Sequence, residues 1–586
     1  MIYFCLKVKG EKMKILLTAL NAKYIHTALA LYCLRAYAKE FQEYIIIEEY
    51  TINHQEDFIL QQIYRQQPDV ICFSCYLWNI NQISRIVDNL KKILPRVMII
   101  LGGAEVSYEA EQALQQIPAD IVIRGEGEAT FYEITKGIIT NTLSLENIDG
   151  ITYRKGNTII TNINRAPIAL DDLPFVYDDI KSFQHRILYY ETQRGCPYNC
   201  QYCLSSIEKG VRFLSKKRVE KDLQFFLDNN VPQVKFVDRT FNANTEHANH
   251  IWKYLIEHDN GITNFHMEIT ADILQQQSLQ ILKKARKGLF QFEIGVQSTN
   301  DKTIQAIQRN TSFEKLKEIV KQIKSYGNIH QHLDLIAGLP YEDYASFRNS
   351  FNDVYVLEPE QFQLGFLKLL KGSGLRKDAQ KYGIVYRKDA VYEVLYTKEL
   401  KCDDIFRLKQ IENMVETYYN SGKACKTIKY VISFFETPFD FYEALGDYWL
   451  ENRYNELQHS KMELYTIFYC FVCDTKCTAQ YKDIIKEYLK LDIFINDNIK
   501  TLPDWLKEEE QENQKRWEYY NDAVLIKQKA PHLSEQTPKQ LSKRCHICFL
   551  EYDIFSKNKC KKQVVVLFDY GKRDVLTKKY CYYQLV

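Results

Sequence analysis

The sequence predicts an α/β protein in three parts: an N-terminal doubly wound parallel sheet, a central partial (β/α)6 barrel and a mostly helical C-terminal domain. Two series of short apolar runs alternate with longer amphipathic stretches, which is typical of βαβ units. The last 200 residues lack that alternation and are rich in Tyr, Phe and Lys at helical spacing.

The first series predicts a domain over residues 13–140. Ligands of doubly wound sheets bind beyond the carboxyl ends of the strands, so the residues after each apolar run are candidate binding residues. The apolar runs, each followed by a helix-like stretch, are KILLTAL, YIIIEEY, DVICFSC, VMIILGG and DIVIRGEGEATF.

Residues 141–186 are predicted to be a linker that contains a β-hairpin. In GITYRKGNTIITN the residue character alternates with a period of two on both sides of Gly156 and Asn157, a pair typical of tight turns. Pro174 closes this hairpin-like stretch.

The second series predicts the barrel over residues 187–390, and the C-terminal domain then covers 391–586 with a final strand pair around VVVLFDY and KKYCYYQL. The six predicted barrel strands are ILYYETQRG, VKFVD, NFHMEIT, FQFEIGVQS, HLDLIAGLP and FQLGFLKLL.

Composition indicates an ordinary globular protein of several domains. The 586 residues carry 77 Lys plus Arg against 75 Asp plus Glu, so no chain-wide charge attracts nucleic acid or a membrane surface. The apolar runs are shorter than a membrane span needs, and MIYFCLKVKGEK lacks the features of a secretory signal. We therefore expect a cytoplasmic protein whose 16 cysteines are reduced.

The strongest chemical motif is GCPYNCQYC, which spaces Cys196, Cys200 and Cys203 as C-x3-C-x2-C after a predicted strand. Three thiolates on one loop can bind three irons of a [4Fe-4S] cluster and leave the fourth iron open to a small molecule. Zinc is the main alternative, but a closed structural zinc site needs a fourth ligand, and no Cys or His lies nearby in the sequence.

At these residues the sequence resembles the radical S-adenosylmethionine (SAM) superfamily. The resemblance implies that the three cysteines hold the cluster, that SAM chelates the open iron, and that one electron cleaves SAM to a 5'-deoxyadenosyl radical. It also implies SAM contacts at strand ends further along the barrel, although Asp334 replaces the first glycine of the fifth-strand motif. The implied SAM-binding residues are Tyr202, Asp238, Glu293, Gln297, Ile336 and Gly338.

A doubly wound domain before such a barrel resembles the cobalamin-dependent branch of the superfamily. SCYL and the paired glycines of LGG stand at two successive strand ends, and glycine allows close approach of backbone to a bulky ligand. RGEGEATF resembles the next strand-end signature of that branch. The implied cobalamin-binding residues are Ser74, Tyr76, Leu77, Gly102, Gly103, Ala104, Glu126 and Gly127.

The N-terminal domain departs from methionine-synthase-like B12 proteins because it has no D-x-H-x-x-G motif. We therefore expect cobalamin with neither its own base nor a histidine below cobalt, and we expect His26 to be a cap or packing residue. The alternative for this domain is a flavodoxin-like or Rossmann fold that binds another ligand, although no G-x-G-x-x-G follows the first strand.

The C-terminal third holds two further cysteine groups. Cys470, Cys473 and Cys477 form C-x2-C-x3-C, and Cys545 and Cys548 are the two cysteines of the segment CHIC. They could bind a second cluster or zinc, but YTIFYCFVC is apolar and helix-like, and cysteine is a common buried residue. We expect these cysteines to be structural. This region resembles an uncharacterised domain found in some B12-binding radical SAM proteins.

The resemblance implies a cobalamin-dependent radical SAM enzyme, most simply one that transfers a methyl group to an unactivated carbon. The substrate class stays open among small molecules, peptides and RNA, and a reductant such as flavodoxin or ferredoxin is expected. Three alternatives remain: a radical rearrangement or cyclisation with cobalamin as redox partner, RNA methylthiolation, and a non-catalytic metal-binding protein. Methylthiolation is disfavoured because the N-terminal cysteines do not fit the cluster motif of that family.

Overall fold

The computed structural model describes residues 12–177, 179–207, 210–499, 502–507 and 511–586. These residues form two compact units. The first runs to Ile329 and includes Gly338–Glu342 and Phe366–Lys401; the second comprises His330–Ala337, Asp343–Gly365 and the chain from Cys402. None of the helices in the described ranges combines the length and the apolar character that crossing a bilayer requires.

The N-terminal strands form one sheet with the order β2-β1-β3-β4-β5-β6-β7. The first five strands are parallel, as predicted, and their order is flavodoxin-like, which places the ligand crevice between the ends of β1 and β3. The strands are β1 (Ile15–Asn21), β2 (Ile45–Thr51), β3 (Val70–Ser74), β4 (Met98–Gly102), β5 (Ile121–Ile123), β6 (Ile151–Lys155) and β7 (Thr158–Thr161).

Alternate residues of these strands pack into two apolar clusters. Leu16, Ile71 and Ile99 belong to one cluster, whereas their neighbours in the sequence belong to the other. Burial on both faces explains why the strands are continuous apolar runs. The helices beside the sheet are Leu29–Tyr37, Glu56–Gln66, Ile80–Ile93, Ala104–Ser107, Ala110–Gln116 and Glu128–Ile139.

The hairpin predicted within the 141–186 linker is present, but it belongs to the sheet. Strand β6 pairs antiparallel with β5, and β7 pairs antiparallel with β6. The hairpin therefore extends the sheet edge, which its alternating pattern alone could not reveal. The domain boundaries at 140 and 186 stay predictions.

The barrel strands of the first unit are parallel in the order β13-β12-β11-β8, and a short antiparallel hairpin, β9 with β10, follows the first of them. A second antiparallel pair, Val385–Tyr386 with Val394–Tyr396, lies later in this unit. The strands are β8 (Leu188–Tyr190), β9 (Gln193–Cys196), β10 (Gly210–Phe213), β11 (Gln233–Phe236), β12 (Asn264–Ile269) and β13 (Phe290–Gln297). The helices are Lys216–Asp228, Thr245–Glu257, Gln276–Leu282, Asp301–Ala306, Phe313–Tyr326 and Gly374–Lys377.

The second unit contains the fifth predicted strand, His330–Ala337, and all of the sixth, Gln361–Phe366, except its last residue. All six strands of the predicted series are therefore present along the chain. The predicted α/β fold class, with a helical C-terminal region, is confirmed. The helices of this unit are Tyr344–Tyr355, Cys402–Met414, Cys425–Val431, Pro438–Glu451, Lys461–Asp474, Lys476–Ala479, Lys482–Asn496, Gln511–Asn521, Ala523–Lys529 and Pro538–Arg544.

The chain ends in an antiparallel sheet of strands Cys545–Tyr552, Lys561–Arg573 and Tyr580–Gln584. The last two strands match the predicted pair. The strand that contains CHIC was not predicted.

Candidate functional site

The first cysteine of the motif ends the first strand of an antiparallel pair. Cys196 is the last residue of β9, which pairs antiparallel with β10. The preceding Gly195 has a φ of +95°, and a Cβ at this position would lie 2.1 Å from the carbonyl oxygen of Gly210. Only glycine permits this approach, so the glycine before the motif has a structural reason.

The other two cysteines lie in the turn after β9. The Cys203 amide donates to the Cys200 carbonyl at 3.0 Å. Burial raises the pKa of Cys200, while the guanidinium of Arg309, 4.0 Å from its sulfur, opposes that rise. The thiols of Cys196 and Cys203 also act on Cys200 electrostatically, so the three thiols occupy one region.

Three thiols in one region match the donor set of a cluster, in which each cysteine binds a different iron. In the ranges that the structure describes, no three His, Cys, Asp or Glu side chains are close enough to share a single metal ion. A [4Fe-4S] cluster does not need three ligands around one ion, because each cysteine binds a different iron.

Arg309 is a residue of this region that sequence reasoning missed. Its Nη1 donates to the Tyr202 hydroxyl at 2.9 Å, and its Nη2 donates to the Gly295 carbonyl at 2.6 Å. Among the described residues its buried Nε has no hydrogen-bond partner. An arginine after a short helix carries no local signal of burial, so only the fold reveals its place beside Cys200.

Asp238 is fully buried and holds the start of the cysteine hairpin. Its Oδ1 accepts from the backbone amides of Thr192 and Gln193 at 2.8 and 3.1 Å, and its Oδ2 accepts from the Thr192 hydroxyl at 2.5 Å. Burial raises the pKa of Asp238 to about 7. The geometry therefore gives Asp238 a positioning role, and its contact with SAM stays a prediction.

The fourth barrel strand carries Glu293 and Gln297. Glu293 lies 3.1 Å from both Lys235 Nζ and His266 Nε2 on neighbouring strands. Gln297 ends the strand in the left-handed region, with a φ of +72°. Its Oε1 is buried and has no hydrogen-bond partner among the described residues, as expected of a group that awaits a ligand.

The last two predicted SAM residues lie in different units. Ile336 is in strand His330–Ala337 of the second unit, and Gly338 is in the first unit. Gly338 has a φ of +91°, and a Cβ there would lie 2.8 Å from Val394 Cγ1. Packing against Val394 therefore already explains this glycine, and an adenine contact at either residue stays a prediction.

At the end of β3, SCYL contacts LGG directly. The Cys75 amide donates to the Gly102 carbonyl at 2.7 Å, and a Cβ on Gly103 would lie 2.5 Å from the Cys75 carbonyl oxygen. A Cβ on Gly102, in contrast, would lie 3.9 Å from Ile123 Cβ, an ordinary van der Waals distance. Gly103 is thus required by the fold, whereas Gly102 has room on its side-chain face.

Aromatic side chains follow the buried Ser74 at the predicted crevice. The ring of Tyr76 stacks on Trp78 at a centroid distance of 4.6 Å, and Leu77 is half-buried. Burial raises the pKa of Tyr76, and the positive charge of Arg239 opposes that rise. Arg239 directly follows Asp238, the residue that holds the cysteine hairpin.

Ala104, Glu126 and Gly127 lie at the next strand ends. Ala104 begins the short helix after β4, and Gly127 precedes the helix after β5. The Glu126 carboxylate accepts from the Ile168 amide at 3.0 Å and pairs with Arg212. This carboxylate is therefore engaged by protein groups, and contact of these three residues with cobalamin stays a prediction.

His26 is held by the protein, in keeping with the expected packing role. Its Nδ1 lies 2.7 Å from the Tyr189 hydroxyl, and burial lowers its pKa.

The cysteines of the two C-terminal groups lie on two helices and a strand. Cys470 and Cys473 are half-buried on helix Lys461–Asp474, and Cys477 is on the next helix. Cys545 and Cys548 are buried in a strand. Their structural role stays a prediction.

Three family models match successive parts of the chain. The B12 binding domain matches residues 15–135, the radical SAM superfamily matches residues 190–354, and a protein of unknown function, DUF4080, matches residues 380–568.

Two curated relatives cover similar parts. The cobalamin-dependent radical SAM methyltransferase TokK of Streptomyces tokunonensis is 24% identical over 348 residues, 54% of this chain and 48% of TokK. The anaerobic magnesium-protoporphyrin IX monomethyl ester cyclase of Rubrivivax gelatinosus is 20% identical over 320 residues, 52% of this chain and 57% of the cyclase. The chain thus matches about half the length of these relatives.

A solved structure shares the fold over most of the chain. The cobalamin-dependent SAM radical enzyme OxsB, with aqua-cobalamin and SAM bound, superposes with a TM-score of 0.59 at 16% identity and covers 84% of this chain and 82% of OxsB. The chain thus combines a B12 binding domain, a radical SAM superfamily domain and a C-terminal DUF4080 domain.

Proposed function

We propose that this chain binds a [4Fe-4S] cluster, SAM and cobalamin and transfers a methyl group to an unactivated carbon of its substrate. The observation that carries the proposal is the approach of two strand ends. At the predicted cobalamin edge, Glu128, which follows β5, accepts a hydrogen bond at 2.5 Å from Arg194, and Arg194 lies on the strand that ends at Cys196. A corrin at the first edge and SAM at the second would then be neighbours.

The residues fit these groups by their donor chemistry. Cys196, Cys200 and Cys203 would hold three irons, and the turn at Gly102 would receive the corrin tail. When bound, the cluster supplies the electron that cleaves SAM to a radical, and cobalamin supplies the methyl group.

Arg309 and Gln297 would orient SAM. Among the described residues Arg309 donates to a phenol, a backbone carbonyl and a thiol, and no carboxylate accepts from it. A buried guanidinium without a carboxylate partner favours an anionic ligand, and the methionyl carboxylate of SAM has the right charge. The buried Oε1 of Gln297 can accept from the methionyl ammonium.

Anaerobic reconstitution with iron, sulfide and hydroxocobalamin tests the proposal, because iron, corrin and SAM products can be counted without knowing the substrate. We expect about four irons and one corrin per chain. With reductant, SAM should give both 5'-deoxyadenosine and S-adenosylhomocysteine, the second from methylation of the corrin. Absence of SAM cleavage would leave a non-catalytic metal-binding protein.

Arg309→Gln provides a sharper test of the SAM site. Loss of a charge-assisted pair should weaken SAM binding by roughly ten- to a hundred-fold while the cluster stays at wild-type content. Arg286→Gln is a matched control, because Arg286 pairs with Asp259 at 2.6 Å elsewhere in this unit. Equal SAM affinity in Arg309→Gln and wild type would contradict the assignment of Arg309.

Cyclisation is the second candidate, supported by the similarity to the cyclase of Rubrivivax gelatinosus. The two reactions differ in their SAM products. Methyl transfer consumes one SAM to S-adenosylhomocysteine, whereas a cyclase needs only the radical. Release of 5'-deoxyadenosine without S-adenosylhomocysteine would favour cyclisation.

A further inference from the structure

Two arginines lie opposite each other on the hairpin whose first strand ends at Cys196. Arg194 on β9 and Arg212 on β10 are direct partners in the antiparallel register. Like charges opposite each other destabilise a strand pair, and here the Arg194 side chain is only 14% exposed. The hairpin therefore needs carboxylates on this face.

Two glutamates of the N-terminal domain supply them. Arg194 Nη2 donates to Glu128 Oε1 at 2.5 Å, and its Nη1 lies 3.6 Å from Glu126 Oε2. Arg212 pairs with the other oxygen of Glu126. The side chains of Glu126 and Glu128 are 13% and 6% exposed, so the pairs of Arg194 are shielded from solvent, whereas the Arg212 side chain is 33% exposed.

Each arginine also contacts a group outside these ion pairs. Arg194 Nε donates to Glu191 at 2.9 Å, just before the hairpin. Arg212 also donates to the Ile168 carbonyl, whose amide donates to Glu126 at 3.0 Å. The four charged side chains Arg194, Arg212, Glu126 and Glu128 will be called the hairpin ion network.

The position of this network is specific. Glu126 and Glu128 lie at the carboxyl end of β5, the edge that binds ligands in doubly wound sheets. Arg194 lies two residues before Cys196 in the sequence. The ion pairs thus join the ligand edge of the N-terminal sheet to the strand that carries the first cysteine.

We propose that the hairpin ion network positions the N-terminal domain against the cysteine loop, and so sets where cobalamin lies relative to the cluster. The last clause rests on the proposed function. The network contains positioning residues rather than catalytic ones. Because a shielded charge that loses its partner is strongly destabilising, the network resists sliding of the hairpin along the sheet edge.

Hydrogen exchange of the full apo chain tests the coupling without any cofactor. Arg194→Gln and Glu128→Gln should each speed amide exchange about ten-fold both in β9 and in helix Glu128–Ile139, because either change opens the same contact. The double variant should exchange no faster than the singles. Lys155→Gln and Glu146→Gln, which break an exposed ion pair of the N-terminal domain, should change neither segment.

Paramagnetic relaxation of the loaded protein tests the placement. In wild type the reduced cluster should speed the relaxation of cob(II)alamin, and Arg194→Gln should change that rate at unchanged iron and corrin content. Faster exchange confined to the substituted segment, additive effects in the double variant, or unchanged relaxation would each overturn the proposal. Failure of wild type to retain iron or corrin would instead refute the proposed function, while the exchange result still decides the coupling.

Discussion

Gly103 and Cys75 are so close that a Cβ on the glycine would lie 2.5 Å from the cysteine carbonyl oxygen. The φ of Gly103, +108°, is also one that side chains rarely adopt. The close contact joins the ends of β3 and β4, where the corrin tail is expected. The glycine therefore serves the fold whether or not a corrin is bound.

The neighbouring glycine allows the corrin site to be tested separately. We expect Gly102→Val to reduce corrin retention with little change in the free energy of unfolding, because a Cβ there meets only Ile123 at 3.9 Å. Gly103→Ala should lower the free energy of unfolding by about 1–3 kcal/mol through strain and overlap. Corrin content after reconstitution and denaturant unfolding of the apo chain measure the two effects. Full corrin retention by Gly102→Val would contradict a tail site at this turn.

The cysteine triad should carry the cluster. Replacing Cys196, Cys200 or Cys203 by Ala should abolish cleavage of SAM to 5'-deoxyadenosine, because each thiolate binds a different iron. Iron analysis and product chromatography measure the outcome. Cys402→Ala, at a half-buried cysteine of the other unit, is the control. Wild-type iron content with retained cleavage in all three triad variants would refute the assignment.

Local patterns predicted the strands and the cysteine motif well. The buried runs of β1, β3 and β4 and the glycine before Cys196 are visible in the sequence because burial and tight turns restrict residue type locally. The order of the strands, and the pairing of β6 with β5, depend on contacts between distant residues and could not be predicted in the same way.

Charged partners were the main omission. Arg309 beside Cys200, and Arg194 beside Glu128, are separated from their partners by 109 and 66 residues. Periodicity carries no information about such pairs, since a charged residue reads as a surface group unless its partner is known. CHIC also has a metal-like pattern, yet it begins a buried strand, because apolar neighbours continue the run to Leu550.

The C-terminal cysteines should hold no second cluster. Wild-type protein should bind about four irons, and Cys470→Ala with Cys473→Ala should leave that number unchanged. These two thiols are half-buried on one helix, and cysteine commonly serves as a small apolar residue. A count near eight in wild type that falls to four in the double variant would show a second cluster.

Cobalt should carry no protein imidazole. His26→Ala should leave the paramagnetic-resonance spectrum of bound cob(II)alamin unchanged, because the N-terminal domain lacks the D-x-H-x-x-G motif and His26 contacts Tyr189 as a packing residue. Tyr189→Phe provides the matched control, since it removes the hydroxyl and keeps the ring. Nitrogen superhyperfine splitting in wild type that disappears in His26→Ala would show the opposite.

Acid should destabilise the barrel through His247. This side chain is 6% exposed, and its Nε2 lies 3.2 Å from the Thr192 hydroxyl. Burial lowers its pKa to about 4, below the 6.5 of an exposed histidine. The folded state therefore binds the proton less readily than the unfolded state, and the associated stability is fully present above pH 6.5 and is lost as the pH falls towards 4. The shift corresponds to a loss on the order of 3 kcal/mol.

Asp238 has the opposite pH trend, because its raised pKa of about 7 makes the folded state less stable as the pH rises from about 4 to 7. The difference between wild type and His247→Gln isolates the histidine from this trend. Glutamine keeps a donor for Thr192, so we expect the variant to lose less stability than wild type between pH 6.5 and 4, measured by denaturant unfolding of the apo chain. His258→Gln, at an exposed histidine that follows the same helix, should track wild type. Parallel plots of unfolding free energy against pH for His247→Gln and wild type would show that the pKa of His247 is the same in the folded and unfolded states. The burial of its ring beside Phe213 argues for a lower pKa in the folded state.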